Sequence, residues 1–157
     1  MKISAAFALL LVTTLILTLF GCSKKKASSA EFNKLLEQAQ AKVNTGDYTG
    51  AIADLEKAIQ LDKKNAEAFY WMGRAYMAIE KSPYPKTIEN FQKTVALDPD
   101  HALAYCAMAA AYDMSKEEAK ACEAATKSIA AFEKKGIKSE HKMVYQQAVM
   151  LKNINCK

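Results

Sequence analysis

The sequence predicts an all-α fold of stacked helix–turn–helix pairs, and three observations predict it. Residues 51–65, AIADLEKAIQLDKKN, are echoed at 87–101 as TIENFQKTVALDPDH. Ile52 answers to Ile88, Leu55 to Phe91, Lys57 to Lys93, Ile59 to Val95, Leu61 to Leu97 and Asp62 to Asp98. Upstream of each echo lies another helical stretch; in the second, Phe69, Met72, Gly73 and Tyr76 fall at i, i+3, i+4 and i+7, one face of a helix. Turn residues separate the stretches: Gly46 and Asp47 in NTGDY as stop and start, Pro83 and Pro85 in KSPYP. One helical hairpin cannot bury its apolar face alone, so a chain that repeats the hairpin is expected to stack its copies.

The chain begins with a segment that stands apart from this pattern. Lys2 precedes an apolar run, Ala5–Phe20, with the character of a secretory h-region. Its end, Leu19-Phe20-Gly21-Cys22, resembles the lipobox of bacterial lipoproteins, with Phe20 bulkier than the usual middle residue. The resemblance implies a signal peptide over 1–21, cleavage after Gly21, and acyl chains (a diacylglycerol thioether and an amide-linked fatty acid) on Cys22. Each buried methylene would hold it to a bilayer by about 0.8 kcal/mol. The alternative is an uncleaved span, because residues 3–21 number 19. Ser23 after the cysteine implies export to the outer membrane, facing the periplasm in a Gram-negative cell. Residues 22–31, with Lys24, Lys25, Lys26 and small polar residues, read as a flexible tether reaching about 30 Å. Its lysines either meet anionic headgroups or are simply solvated.

The helical units resemble tetratricopeptide (TPR) repeats, a helix–turn–helix family with a period of about 34 residues. Phe69, Met72, Gly73 and Tyr76 take the family's large apolar, leucine, close-contact glycine and tyrosine places, and LDPD at 97–100 its exit. Units are expected at about 32–65, 66–101 and 102–135. Gln38 and Lys42 depart from the apolar and tyrosine places of the first, and the second carries two extra residues in its proline turn. In the third, Tyr105, Met108, Ala109 and Tyr112 match the first helix, and Ser115-Lys-Glu-Glu118 reads as a capping box for the second. Gly136 suits a helix end with φ > 0. A last helix at about 139–154, with Met143, Val144, Ala148, Val149 and Leu151 as its stripe, is expected to cap the array. The resemblance implies a right-handed superhelical stack of about three units plus this cap, forming one domain over 32–157.

Chemistry is sparse. His101 and His141 belong to no metal spacing or nucleophile motif, and read as surface residues without a task; no cofactor, metal or catalytic residue is expected. Lys2 leaves with the signal and three lysines lie in the tether, so 18 of the 22 basic residues face 17 acids, about +1 against +5 for the whole chain. Arg74 is the sole arginine, and nucleic acid is excluded as a partner.

In the family, first helices line a concave groove that binds peptides or proteins. Carried over place by place, the groove takes Leu36, Gln40, Val43 and Asn44 from the first unit. The second gives Glu67, Tyr70, Trp71, Arg74 and Met77, and the third Leu103, Cys106, Ala110 and Asp113. Tyr70, Trp71 and Arg74 are types enriched at binding hot spots, though Trp71 reads equally as helix packing. The branch that grips chaperone tails needs Lys or Arg and Asn where this chain has Leu36, Gln40, Glu67 and Trp71. An antiparallel last helix would bring Cys156 near Cys122, and a bridge would close about 33 residues, worth roughly 3–4 kcal/mol. A Cys106–Cys122 pair and three reduced thiols are the alternatives. The expected role is a membrane-anchored scaffold or adaptor of the bacterial cell envelope, its partner a protein or peptide, with an accessory subunit of an envelope assembly machine (outer-membrane protein, pilus, secretin or cell-wall enzyme complex) as runner-up. A thiol-redox or hydrolytic enzyme is the rival class, disfavoured by the absence of a C-x-x-C pair.

Overall fold

A computed structural model describes residues 28–79 and 84–157. The expected signal peptide, Cys22, most of the tether and Pro83 lie outside the described residues. Residues 28–31, expected as the end of the tether, are helical and open α1 at 28–45. There follow α2 (Tyr48–Leu61), α3 (Ala66–Ala78), α4 (Tyr84–Leu97), α5 (Ala102–Met114), α6 (Glu118–Lys135), a single 3-10 turn (Ser139–His141) and α7 (Lys142–Asn155). Among the described residues there is no strand. The helices pack in chain order from α2 to α6, α3 also touches α5, and α7 closes on both α5 and α6.

Turn chemistry punctuates the chain. Gly46 adopts φ +89°, and the Asp47 N–H reaches back to the Lys42 carbonyl at 2.9 Å, ending α1. Asp47 then caps α2, its Oδ1 accepting from the Gly50 N–H at 2.9 Å. The two exits repeat the same aspartate turn and then cap with different side chains. Asp62 Oδ1 accepts from Lys64 N and Asp98 Oδ1 from Asp100 N, while Asn65 caps α3 and His101 caps α5. Gly136 ends α6 at φ +80°.

The capping box at 115–118 is not formed. Ser115 Oγ donates to the Tyr112 carbonyl and the Glu117 carboxylate, and Lys116 takes φ +66°. This left-handed step lets the Glu117 N–H bond the Tyr112 carbonyl, closing α5, so α6 begins at Glu118 without a side-chain cap.

Small residues bring the helices close. Ala39, Ala51, Ala58, Ala68 and Ala75 are fully buried between α1, α2 and α3, and Ala104, Ala109, Ala121 and Ala125 between α5 and α6. Tyr70, Ile88, Phe91, Met108, Tyr112 and Leu151 fill the second core, and Trp71 touches both. Lys42, at the usual tyrosine place, sets its Nζ 2.6 Å from the buried Asp54 carboxylate, which holds its ammonium above the ordinary lysine range. A Cys122–Cys156 disulfide, with Cα atoms 5.1 Å apart, ties the start of α6 to the end of α7.

A Cβ on Gly73 would stand 2.6 Å from Phe91 Cε1. Gly73→Ala is therefore expected to lower unfolding free energy by about 1–3 kcal/mol, measured by urea denaturation. Pairing it with Phe91→Leu should recover part of the loss. Reducing the disulfide, which spans a sequence separation of 34, should cost roughly 3–4 kcal/mol and raise amide exchange first in α7.

Candidate functional site

The faces of α3, α5 and α7 that turn away from the core enclose a cleft of about 340 Å³. From α3 come Tyr70, Arg74, Met77 and Ala78, at i, i+4, i+7 and i+8. From α5 come Leu103, Cys106, Ala107 and Ala110, and from α7 Val144 and Gln147. Arg74 is the one charged residue in this lining. Its guanidinium carbon lies 4.9 Å from the Trp71 ring centroid and 6.0 Å from that of Tyr70, a stacked arrangement that holds the cation on an aromatic platform. Arg74 ion-pairs with no carboxylate among the described residues. Burial pushes the Tyr70 phenol up, against the opposing effect of the Arg74 charge.

The structure brings Tyr70, Arg74, Met77, Leu103, Cys106 and Ala110 together in this cleft, but not all of the expected groove residues. Trp71 turns its ring between the two cores, and its indole N–H is buried without a hydrogen-bond partner. Asp113 Oδ1 accepts from Asn155 Nδ2 at 3.0 Å and so joins α5 to α7 instead of lining the cleft. Gln40 and Asn44 stay on α1, outside it, as do Leu36 and Val43, which pack on the first core. Ala78, Ala107, Val144 and Gln147 were not anticipated. Reading α7 in phase with α5, Tyr145 under Tyr105, would have found Gln147 under Ala107.

His101 is no idle surface residue. It is 7% exposed, and its Nδ1 accepts the Ala104 N–H at 3.2 Å, capping α5. The ring proton therefore sits on Nε2, 3.2 Å from Glu67 Oε1. That hydrogen bond, outweighing partial burial, holds the Glu67 carboxyl below its usual range. The Trp71 indole N–H favours the ionised carboxyl too, although it falls outside hydrogen-bonding geometry. His141 packs against Phe132 at 5.8 Å between centroids, and both histidines border a second cavity of about 210 Å³. Among the described residues no group of three or more His, Cys, Asp or Glu is placed to hold a metal ion. No described helix is long and apolar enough to cross a membrane.

Cys106 is the free thiol among the described cysteines. Its Sγ donates to the Val144 carbonyl at 3.6 Å, and burial pushes its pKa up to about 11. At pH 8 the thiolate fraction should be about a hundredfold below that of a thiol titrating at 9.0. Iodoacetamide should thus label Cys106 slowly in the native protein and at the ordinary rate in urea, followed by mass spectrometry.

Comparisons with known proteins agree with this architecture. Residues 39–80, from mid-α1 through α3, match the family model of the TPR repeat. A search of the curated proteins finds no match. The type III secretion chaperone SycD of Yersinia enterocolitica, in complex with a peptide of the translocator YopD, superposes with TM-score 0.71 at 16% identity, covering 79% of this chain and 91% of that one. The TPR2B domain of yeast Sti1, in its pHsp70 complex, gives 0.67 at 18% identity, covering 77% and 98%. MamA gives 0.61 at 24% identity, covering 99% of both chains. The fold is a TPR-like stack of helical hairpins.

Proposed function

We propose that the whole helical part is a TPR array acting as a membrane-anchored adaptor of the bacterial cell envelope, and that it grips a partner protein or peptide in the cleft between α3, α5 and α7. One observation carries this: Arg74, held on Trp71 and Tyr70, stands without a carboxylate partner at the edge of a lining otherwise free of charge. An apolar cleft with one guanidinium that meets no carboxylate suits recognition, because an incoming carboxylate would complete a charge-assisted pair. The SycD and Sti1 structures, with a translocator peptide and pHsp70 in their complexes, support a protein or peptide ligand.

Binding also fits the chain's chemistry better than catalysis does. The Cys106 thiol is pushed out of the nucleophilic range, and His101 is committed to its cap. Anchoring through Cys22 rests on the lipobox resemblance at 19–22, and Ser23 after it suits export to the outer membrane, facing the periplasm, in a Gram-negative cell.

The test is photo-crosslinking in intact cells from p-benzoylphenylalanine at position 78, an exposed place in the cleft lining that leaves Arg74 intact, with position 57 on the exposed face of α2 as control. Capture of one partner from 78 and none from 57 is expected; equal capture, or none, defeats the groove. Mass spectrometry of the purified protein should show a mature chain beginning at an acylated Cys22, and an unmodified cysteine there removes the anchor.

A further inference from the structure

We infer that the Cys122–Cys156 disulfide is a redox latch: a dithiol that reduces it undocks α7, opens the α7 side of the cleft and uncovers Cys106 as a site of thiol modification. This goes beyond the groove reading and holds whatever the cleft binds. Little else fastens α7. It buries Ala148, Leu151 and Asn155, whereas α5 buries seven residues, so Leu151 is its one large, fully packed apolar anchor. Val144 and Tyr145 are half-buried beside Phe132, and Met143, Met150 and Ile154 stay exposed and add nothing to docking. The polar ties are few. Asn155 Nδ2 donates to Asp113 Oδ1 at 3.0 Å, and the Tyr145 hydroxyl to Glu133 at 3.0 Å. A helix of 14 residues is marginal alone in water, so α7 keeps its form only while docked.

The bridge sits where it governs that docking. Cys156 follows the last residue of α7 and Cys122 lies near the start of α6, and both keep part of their surface in solvent. One thiolate of the dithiol attacks a bridge sulfur to form a mixed disulfide, which its second thiol then displaces. The dithiol closes to its own disulfide, and two electrons and two protons pass to Cys122 and Cys156. What still joins α7 to α6 is the segment 136–141, which opens with Gly136 at φ +80°. The helix then leaves as a unit, from Asn155 back toward the 3-10 turn. Cys106 lies beneath it. The thiol is 2% exposed, lines the cleft and donates to the Val144 carbonyl at 3.6 Å. Burial is what keeps it protonated and out of reach, and departure of α7 removes that burial. Among the described residues the oxidised chain thus offers no reactive thiol, and the reduced chain offers three.

Two forms of the mature protein are compared with the oxidised one. The first is wild type reduced with dithiothreitol and freed of reductant without oxygen; the second is Cys122→Ser/Cys156→Ser, which cannot close the bridge. Each is pulsed with iodoacetamide at pH 8 without denaturant, and peptide mass spectrometry assigns the label to each cysteine. Cys106 should be labelled at least about tenfold faster in both forms than in the oxidised protein. Amide exchange should rise across 142–155, most at Asn155, while α2 to α4 keep their protection. Re-forming the bridge with glutathione disulfide should return Cys106 to its slow rate. Unchanged Cys106 labelling in reduced wild type whose Cys122 and Cys156 are fully alkylated overturns the latch, and that form decides where the variant fails to fold. Fast labelling that persists after the bridge re-forms overturns it too. So does loss of protection in α2 to α4 together with α7, which would make reduction a global unfolding. Capture from position 78 tests the groove and Cys106 labelling tests the latch, so either fails without the other.

Discussion

Phe91 lies on Gly73 with no room between them for a methyl group, and much else in the molecule is set by that contact. It fixes how closely α3 and α4 approach, and α4 in turn carries the chain through Asp98 and His101 into α5. Because α3 is a rigid helix, pinning its inner face at Met72 and Gly73 also pins the other side. Tyr70, Arg74 and Met77 are thereby presented to the cleft at a fixed height and angle. Precision at a binding surface is inherited here from precision in a core, as rigid packing generally demands.

The same logic explains the abundance of alanine. Fully buried alanines remove little apolar area each, so their contribution is less hydrophobic transfer than permission for backbones to come near. Large side chains then act at few points: Leu55 in the first core, Phe91 and Tyr112 in the second, Phe132 under the last turn. Such a core is weak at its ends, where a helix has a neighbour on one side alone. At one end Lys42 reaches Asp54, and at the other the Cys122–Cys156 bridge and the Asn155–Asp113 hydrogen bond hold α7 down.

What was legible in the sequence was what repeats. The echo of 51–65 at 87–101 locates helices and exits because the same side chains must make the same turns, and Asp62 and Asp98 do. What was illegible depends on a neighbour out of register. His101 occupies the place of Asn65 and does its capping work with an imidazole, a substitution that disguises a cap as an idle histidine. Ser115 fits a local capping pattern that the left-handed Lys116 overrides. Trp71 sits on the groove helix but is drawn inward by two cores at once, and Asp113 is drawn aside by an asparagine 42 residues away. The part of α7 in the cleft was hidden because its phase follows α5 by 40 residues (Tyr105 to Tyr145) instead of the 36 that the earlier echo teaches.

The two ends of the stack differ in a way that gives it direction. The outward face of α1 exposes Glu31, Asn33, Lys34, Glu37 and Gln38, mixed in sign and without an apolar stripe, so nothing further is invited to stack there. The outward face of α7 exposes Met143, Met150 and Ile154 among amides and lysines. An array closed by charge at one end and apolar at the other stacks from the second alone. The cleft begins at α3, beside the first hairpin, and runs toward the α7 face. The polarity of the stack thus lies in its two end faces, charged at α1 and apolar at α7.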